Sequence, residues 1–139
     1  PGGHGMSPLA IELRRLFLEL GPEDSKSQRA FQLLQRASER EAVECIPLIL
    51  DRLVNFSSAH GLGINCLHAL LRLHPIALVQ YFMPKQVYDL FNPGADDRPA
   101  VAFLHSFLCY KESQGLGAEQ EGGKLQRLLL RRAKQSDLR

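Results

Sequence analysis

The side chains with the most chemistry in this 139-residue chain are three cysteines, Cys45, Cys66 and Cys109, and two histidines near them, His68 and His105. His105 and Cys109 are four residues apart, and His68 follows Cys66 by two. Imidazole and thiolate are good zinc ligands, and a spacing of three or four puts both on one helix face. Four such groups could close a site. A helical wheel, however, turns Cys66 toward the apolar side and away from His68, so packed or exposed residues are expected here, and no metal. Nucleophilic catalysis needs a nucleophile, a base and an orienting group. Cysteine and histidine are present, but each thiol lies inside an apolar stretch, without the electropositive, partly exposed setting that lowers a thiol pKa. No glycine-rich phosphate loop follows a strand. The expectation is a protein that is not an enzyme, with no cofactor and no small-molecule substrate.

A second constellation is basic. Arg127, Arg131, Arg132 and Lys134, with Arg139 just beyond, accompany Leu125, Leu128 and Leu129 near the C-terminus. This is the pattern of a basic amphipathic helix over residues 124–139. Such helices meet nucleic acid, acidic membrane or an acidic partner. The plainer reading, which we prefer, is a capping helix whose basic residues face water and complement the negative end of the helix dipole.

Composition sets few further limits. Hydrophobic residues make up 45% and charged residues 23%, with a net charge of +2, so bulk electrostatics favours no partner. No apolar run approaches the roughly 18 residues of a membrane span. An odd number of cysteines with no paired spacing fits a reducing compartment, cytoplasmic or nuclear. Residues 1–6, Pro-Gly-Gly-His-Gly-Met, read as an expression scar, and the chain is expected to be a fragment or subunit of something longer.

The elements that must position these groups are all helical. Ser7-Pro8 starts a helix that runs to Leu20, stopped by Gly21-Pro22. Ser25-Lys26-Ser27-Gln28 reads as a capping box for a second helix, to about Arg36. Ser38-Glu39-Arg40-Glu41 opens a third, to about Phe56, with Pro47 inside it as an expected kink. A fourth spans about Ala59 to Leu73, with Gly61 and Gly63 weakening its first turn. His74-Pro75 opens a fifth, to about Phe91, interrupted at Pro84. Asp97 caps a sixth, to about Tyr110. Residues 112–123 form a glycine-rich linker. No segment shows the strict alternation of a half-buried strand.

The helices repeat. Ile46-Pro47-Leu48-Ile49-Leu50-Asp51-Arg52-Leu53 aligns with Met83-Pro84-Lys85-Gln86-Val87-Tyr88-Asp89-Leu90, and the two prolines stand 37 positions apart. At that offset Leu13, Leu50 and Val87 form a column, as do Leu16, Leu53 and Leu90, and Phe17, Val54 and Phe91. In the following helices Ala30, Leu67 and Leu104 align, then Leu33, Leu70 and Phe107, then Leu34, Leu71 and Leu108. A helical pair cannot bury its apolar stripe alone, but stacked pairs bury it against each other. Residues 7–111 therefore read as one helical repeat domain.

The two-helix unit, the period and the proline inside Ala42-Val43-Glu44-Cys45-Ile46-Pro47-Leu48-Ile49 resemble the armadillo and HEAT superfamily, whose usual period is slightly longer. The resemblance covers about Pro8 to Leu129. It implies a short all-α solenoid of about three helical pairs with a final capping helix. It also implies a groove along the second helix of each pair. Opposite the apolar columns, these helices carry Gln28, Phe31, Gln32 and Gln35, then Asn65, His68, Ala69 and Arg72, then Ala102, His105, Ser106 and Cys109. In armadillo-like folds polar side chains there hold an extended peptide, a role the resemblance implies for Gln28, Asn65 and Arg72. A carboxamide suits it, since it both donates and accepts. The expected partner-binding residues are thus Gln28, Phe31, Asn65, His68, Arg72 and His105, and the expected partner is a protein or peptide. A nucleic-acid-binding module using Arg127, Arg131, Arg132 and Lys134 is the alternative.

Overall fold

The computed structural model describes residues 6–55, 60–82 and 98–115, and every regular element among them is an α-helix. The chain divides into two units, Pro1–Met83 and Pro84–Arg139. The first holds α1 (Pro8–Leu18), α2 (Glu23–Arg36), α3 (Glu39–Asn55), α4 (His60–Leu73) and α5 (Pro75–Tyr81). The second holds α6 (Arg98–Ser113). No single helix among the described residues is long and apolar enough to cross a membrane.

The helix ends follow local chemistry. Ser7 Oγ accepts from the Ala10 N–H at 3.2 Å, with Pro8 in the first turn. The Ser38 box is reciprocal: Glu41 N–H donates to Ser38 Oγ at 3.2 Å, and Ser38 N–H donates to Glu41 Oε1 at 2.9 Å. α1 ends at Leu18, two residues before the expected stop. Gly21 takes a φ of +144° ahead of Pro22, and the chain is already extended at Glu19. The expected box at Ser25 is not used. α2 begins at Glu23, with Pro22 in extended conformation before it. Glu23 and Asp24 place carboxylates in the first turn, where the helix dipole favours them. α3 continues through the exposed Pro47 to Asn55. α4 and α5 meet at a bend of 119° centred on His74. The Nε2 of His74 bonds the Leu34 carbonyl at 2.9 Å, near the end of α2. α5 ends at Tyr81, short of the expected Phe91, with Phe82 extended at its C-cap, and residues 83–91 of the expected fifth helix lie outside the described residues. α6 runs three residues past its expected end, to Ser113, before Gly115 turns the chain with a φ of +66°.

In the first unit α1 packs on α2 and α3, α2 on α4, α3 on α4 and α5, and α4 on α5. Leu13, Leu16, Leu34, Ile46, Ile49, Ile64, Leu67, Leu70 and Leu78 are fully buried. The aligned columns Leu13 with Leu50, Leu16 with Leu53, Ala30 with Leu67 and Leu33 with Leu70 are all in the core. In α6 the buried residues are Ala100, Phe103, Leu104 and Phe107, with the two phenyl rings stacked at 5.8 Å. Leu71 and Leu108, expected in the core, are half-buried. Leu71 lies at the edge of the buried arc of α4. That arc is wide because α4 packs against α2, α3 and α5 at once. The same width draws Ala69 into the core, although the wheel placed it on the polar side.

The glycines of α4 are contact points. A Cβ on Gly63 would stand 2.7 Å from Leu53 Cδ2, and one on Gly61 would stand 2.7 Å from Glu23 Oε2. Gly63 thus lets α3 and α4 approach, while the Glu23 carboxylate lies against the first turn of α4.

Candidate functional site

α2 and α4 lie side by side in the first unit. Asn65 Nδ2 donates to Ser27 Oγ at 2.9 Å, and the Arg72 guanidinium lies over the Phe31 ring at 5.8 Å. With the bond between His74 and Leu34, partners advance in step along both helices, so α2 and α4 run parallel. Their common outer face carries exposed Gln28, Gln32, Gln35 and Arg72, with Phe31, Asn65 and His68 half-buried. An open groove of about 870 Å³ follows α2, lined by Gln28, Phe31, Gln32 and Gln35 with Pro22, Asp24, Ser25 and Ser27.

The structure brings together five of the six expected partner-binding residues on α2 and α4: Gln28, Phe31, Asn65, His68 and Arg72. Two qualifications come from their contacts. The Asn65 amide nitrogen is already engaged by Ser27, so Gln28 and Asn65 are not an equivalent pair of free carboxamides. Arg72 is held by an aromatic face and makes no ion pair among the described residues. Such a stack orients a guanidinium while leaving its N–H fork open. His105, the sixth, is exposed on α6 in the second unit, near Ala102, Ser106 and Cys109, which are exposed too. Arg127, Arg131, Arg132 and Lys134 lie outside the described residues.

A second cleft, of about 640 Å³, separates α1 from α2 and was not expected from the sequence. Arg29 grips Glu19 through two nitrogens, at 2.7 and 3.4 Å, and Arg36 approaches Glu12 at 3.8 Å. The hydrogen bond from Arg29 holds the Glu19 carboxyl below its ordinary value, and the same bond raises the Arg29 pKa. Each pair is solvent-exposed and contributes little to stability. The signal was present: Glu12 on α1 and Glu19 just past its end stand seven apart and face Arg36 and Arg29, seven apart on α2, in antiparallel order.

The thiols divide by burial. Desolvation pushes the Cys45 thiol up to about 12, and Cys66, fully buried, higher still. Neither is a nucleophile near neutral pH. Cys109 is exposed, with Sγ 4.0 Å from His105 Nδ1. Cys66 is in the core while His68 is half-exposed, so these two point apart. Among the described residues no group of three or more His, Cys, Asp or Glu side chains is placed to hold a metal ion.

Comparison with protein-family models, with curated proteins and with solved structures finds no match for this chain.

Proposed function

We propose that the chain is a non-enzymatic protein-interaction scaffold, a short armadillo- or HEAT-like solenoid that belongs to a larger cytoplasmic or nuclear assembly. Its partner segment lies along the outer face of α2 and α4. The observation that carries this reading is the separation of the contacts between helical pairs. Ser7 N–H donates to Glu44 across 37 positions, Asn65 to Ser27 across 38, and His74 bonds Leu34 across 40. Contacts so near the sequence period are what stacked repeats make, since each residue meets the neighbourhood of its own equivalent. A stack of this kind leaves the outer side of its second helices free of core duty. Changes there seldom move stability by more than about 0.5 kcal/mol.

The experiment combines Arg72→Glu with His68→Ala and follows both folding and capture of the native partner. Folding is expected to persist while binding falls tenfold or more, about 1.4 kcal/mol. The basic residues near the C-terminus favour a second reading, a nucleic-acid-binding module. In that case Arg131→Glu or Arg132→Glu abolishes binding, the α2–α4 substitutions do not, and affinity for generic nucleic acid drops steeply with salt.

A further inference from the structure

We infer that the outward side of α1 docks an acidic amphipathic helix of a partner protein, laid alongside it, with apolar side chains on Ile11 and Leu18 and carboxylates on Arg14 and Arg15. This surface is separate from the α2–α4 face and does not rest on the reading of that face.

The described residues expose six large apolar side chains, and four of these lie between Met6 and Leu20. Single exposed apolar residues are ordinary, but clustering on one element marks a site of interaction. On α1 itself, Ile11 is 45% exposed and Leu18 61%. At about 100° per residue, Ile11, Arg14, Arg15 and Leu18 share an arc of about 100°. It lies opposite the buried Ala10, Leu13, Leu16 and Phe17. Ile11 and Leu18 stand seven positions apart, about 10 Å along the axis. That is the heptad spacing of a helix–helix seam, whose partner axis runs about 8–10 Å away. A helix that binds a bilayer presents a broad apolar face. The broad face of α1 is already packed on α2 and α3, and what remains is a strip one residue wide.

Charge selects among helices. Arg14 and Arg15 are exposed and form no ion pair among the described residues. Three acids border α1, and each is engaged: Glu12 by Arg36, Glu19 by Arg29 and Glu44 by the Ser7 N–H. Arg29 bonds both Glu19 oxygens, so Arg15 acts on that carboxyl only through space. A second copy does not fit this strip. Parallel pairing sets each arginine against itself, and antiparallel pairing over Ile11 and Leu18 sets Arg14 against Arg15. The segment with Arg127, Arg131 and Arg132 fails in the same way, since like charges across an interface repel. A helix with apolar residues seven apart and Asp or Glu three or four positions past the first meets all four side chains.

The test is a phage library of monomeric helical miniproteins randomised along one helix. It is panned on the whole chain and depleted on the Ile11→Ser, Leu18→Ser variant, and enriched binders are titrated by fluorescence anisotropy. The expected consensus is two apolar residues seven apart with Asp or Glu between them. Arg14→Glu with Arg15→Glu should weaken these binders at least tenfold, with unchanged circular dichroism and melting temperature. Changing the binders' acids to Lys should restore affinity for that charge-reversed chain. Arg72→Glu with His68→Ala should leave binding as it is, which separates this surface from the α2–α4 face. A neutral or basic consensus, or binders indifferent to the charge reversal, overturns the acidic helix. No enrichment overturns the docking surface. Dimerisation in analytical ultracentrifugation that Ile11→Ser with Leu18→Ser abolishes also overturns it, because a second copy then covers the strip. Flotation with phosphatidylserine vesicles that Arg14→Glu with Arg15→Glu prevents assigns the strip to a membrane and overturns the helix.

Discussion

Gly63 stands where the side chain of Leu53 needs room. A methyl group there would meet two leucine carbons at 2.7 and 2.8 Å, both on a buried side chain. Gly63→Ala gains helix propensity yet must displace a packed residue, and overpacking of that kind costs about 1–3 kcal/mol. Urea unfolding is expected to show a net loss, where propensity alone predicts a gain of about 1 kcal/mol. The three thiols offer a second check. Iodoacetamide should add once to the native chain, at Cys109, and three times in urea, counted by mass spectrometry. Stability should also respond to alkali. Unfolded thiols ionise near pH 8.5, while native Cys45 keeps its proton to about 12. Above pH 8.5 the unfolded state therefore binds fewer protons than the native one, and stability falls as pH rises toward 12. Replacing Cys45 and Cys66 with alanine should flatten that fall. The sequence made both thiols readable as buried, because each sits on an apolar helical face. It did not reveal the purpose of Gly63, since a close approach depends on the neighbouring helix.

At the scale of the element, the two capping boxes make an instructive pair. Ser38-Glu39-Arg40-Glu41 is used, with both bonds formed. Ser25-Lys26-Ser27-Gln28 has the same pattern and is passed over, because α2 has already begun at Glu23, after the extended Pro22 and with two acids in its first turn. Ser38→Ala is accordingly expected to cost about 1 kcal/mol. Ser25→Ala should change thermal stability by less than about 0.5 kcal/mol. Element type was legible throughout the described residues, because apolar periodicity is strong in each helix. Element ends were less so, since several local signals compete at each and packing decides among them. Leu67, fully buried on α4, tests the packing directly. Leu67→Ala should cost about 2–5 kcal/mol in denaturant unfolding.

For the whole molecule, the period of 37 carried most of what the sequence had to say. It brought Leu13 with Leu50 and Leu33 with Leu70 into the core of the first unit, and it placed Phe31 and Arg72 on neighbouring second helices. Periodicity records which face is buried, and so it also marks the face that is left over. It does not record bonds between polar side chains. The Ser27–Asn65 bond and the Glu–Arg clasp of α1 and α2 therefore emerged only with coordinates. If stability rests on stacked apolar columns and owes nothing to metal, chelation with EDTA should leave the melting temperature unchanged. A fall of several degrees would point to a bound ion.

The cross-pair bonds of the first unit, spanning 37, 38 and 40 positions, also bear on how the chain is made. Each closes a loop of nearly the same size, so no step toward the native state carries a much larger entropic cost than another. Residues synthesised early do not wait for a distant terminus. Once α4 has left the ribosome, its partners on α2 and α3 are already available. At about 5–20 residues per second, the interval between a helix and its neighbour is a few seconds. During those seconds α3 covers α1 while the side of α2 that α4 will cover stays open, and a chaperone has that apolar face to hold.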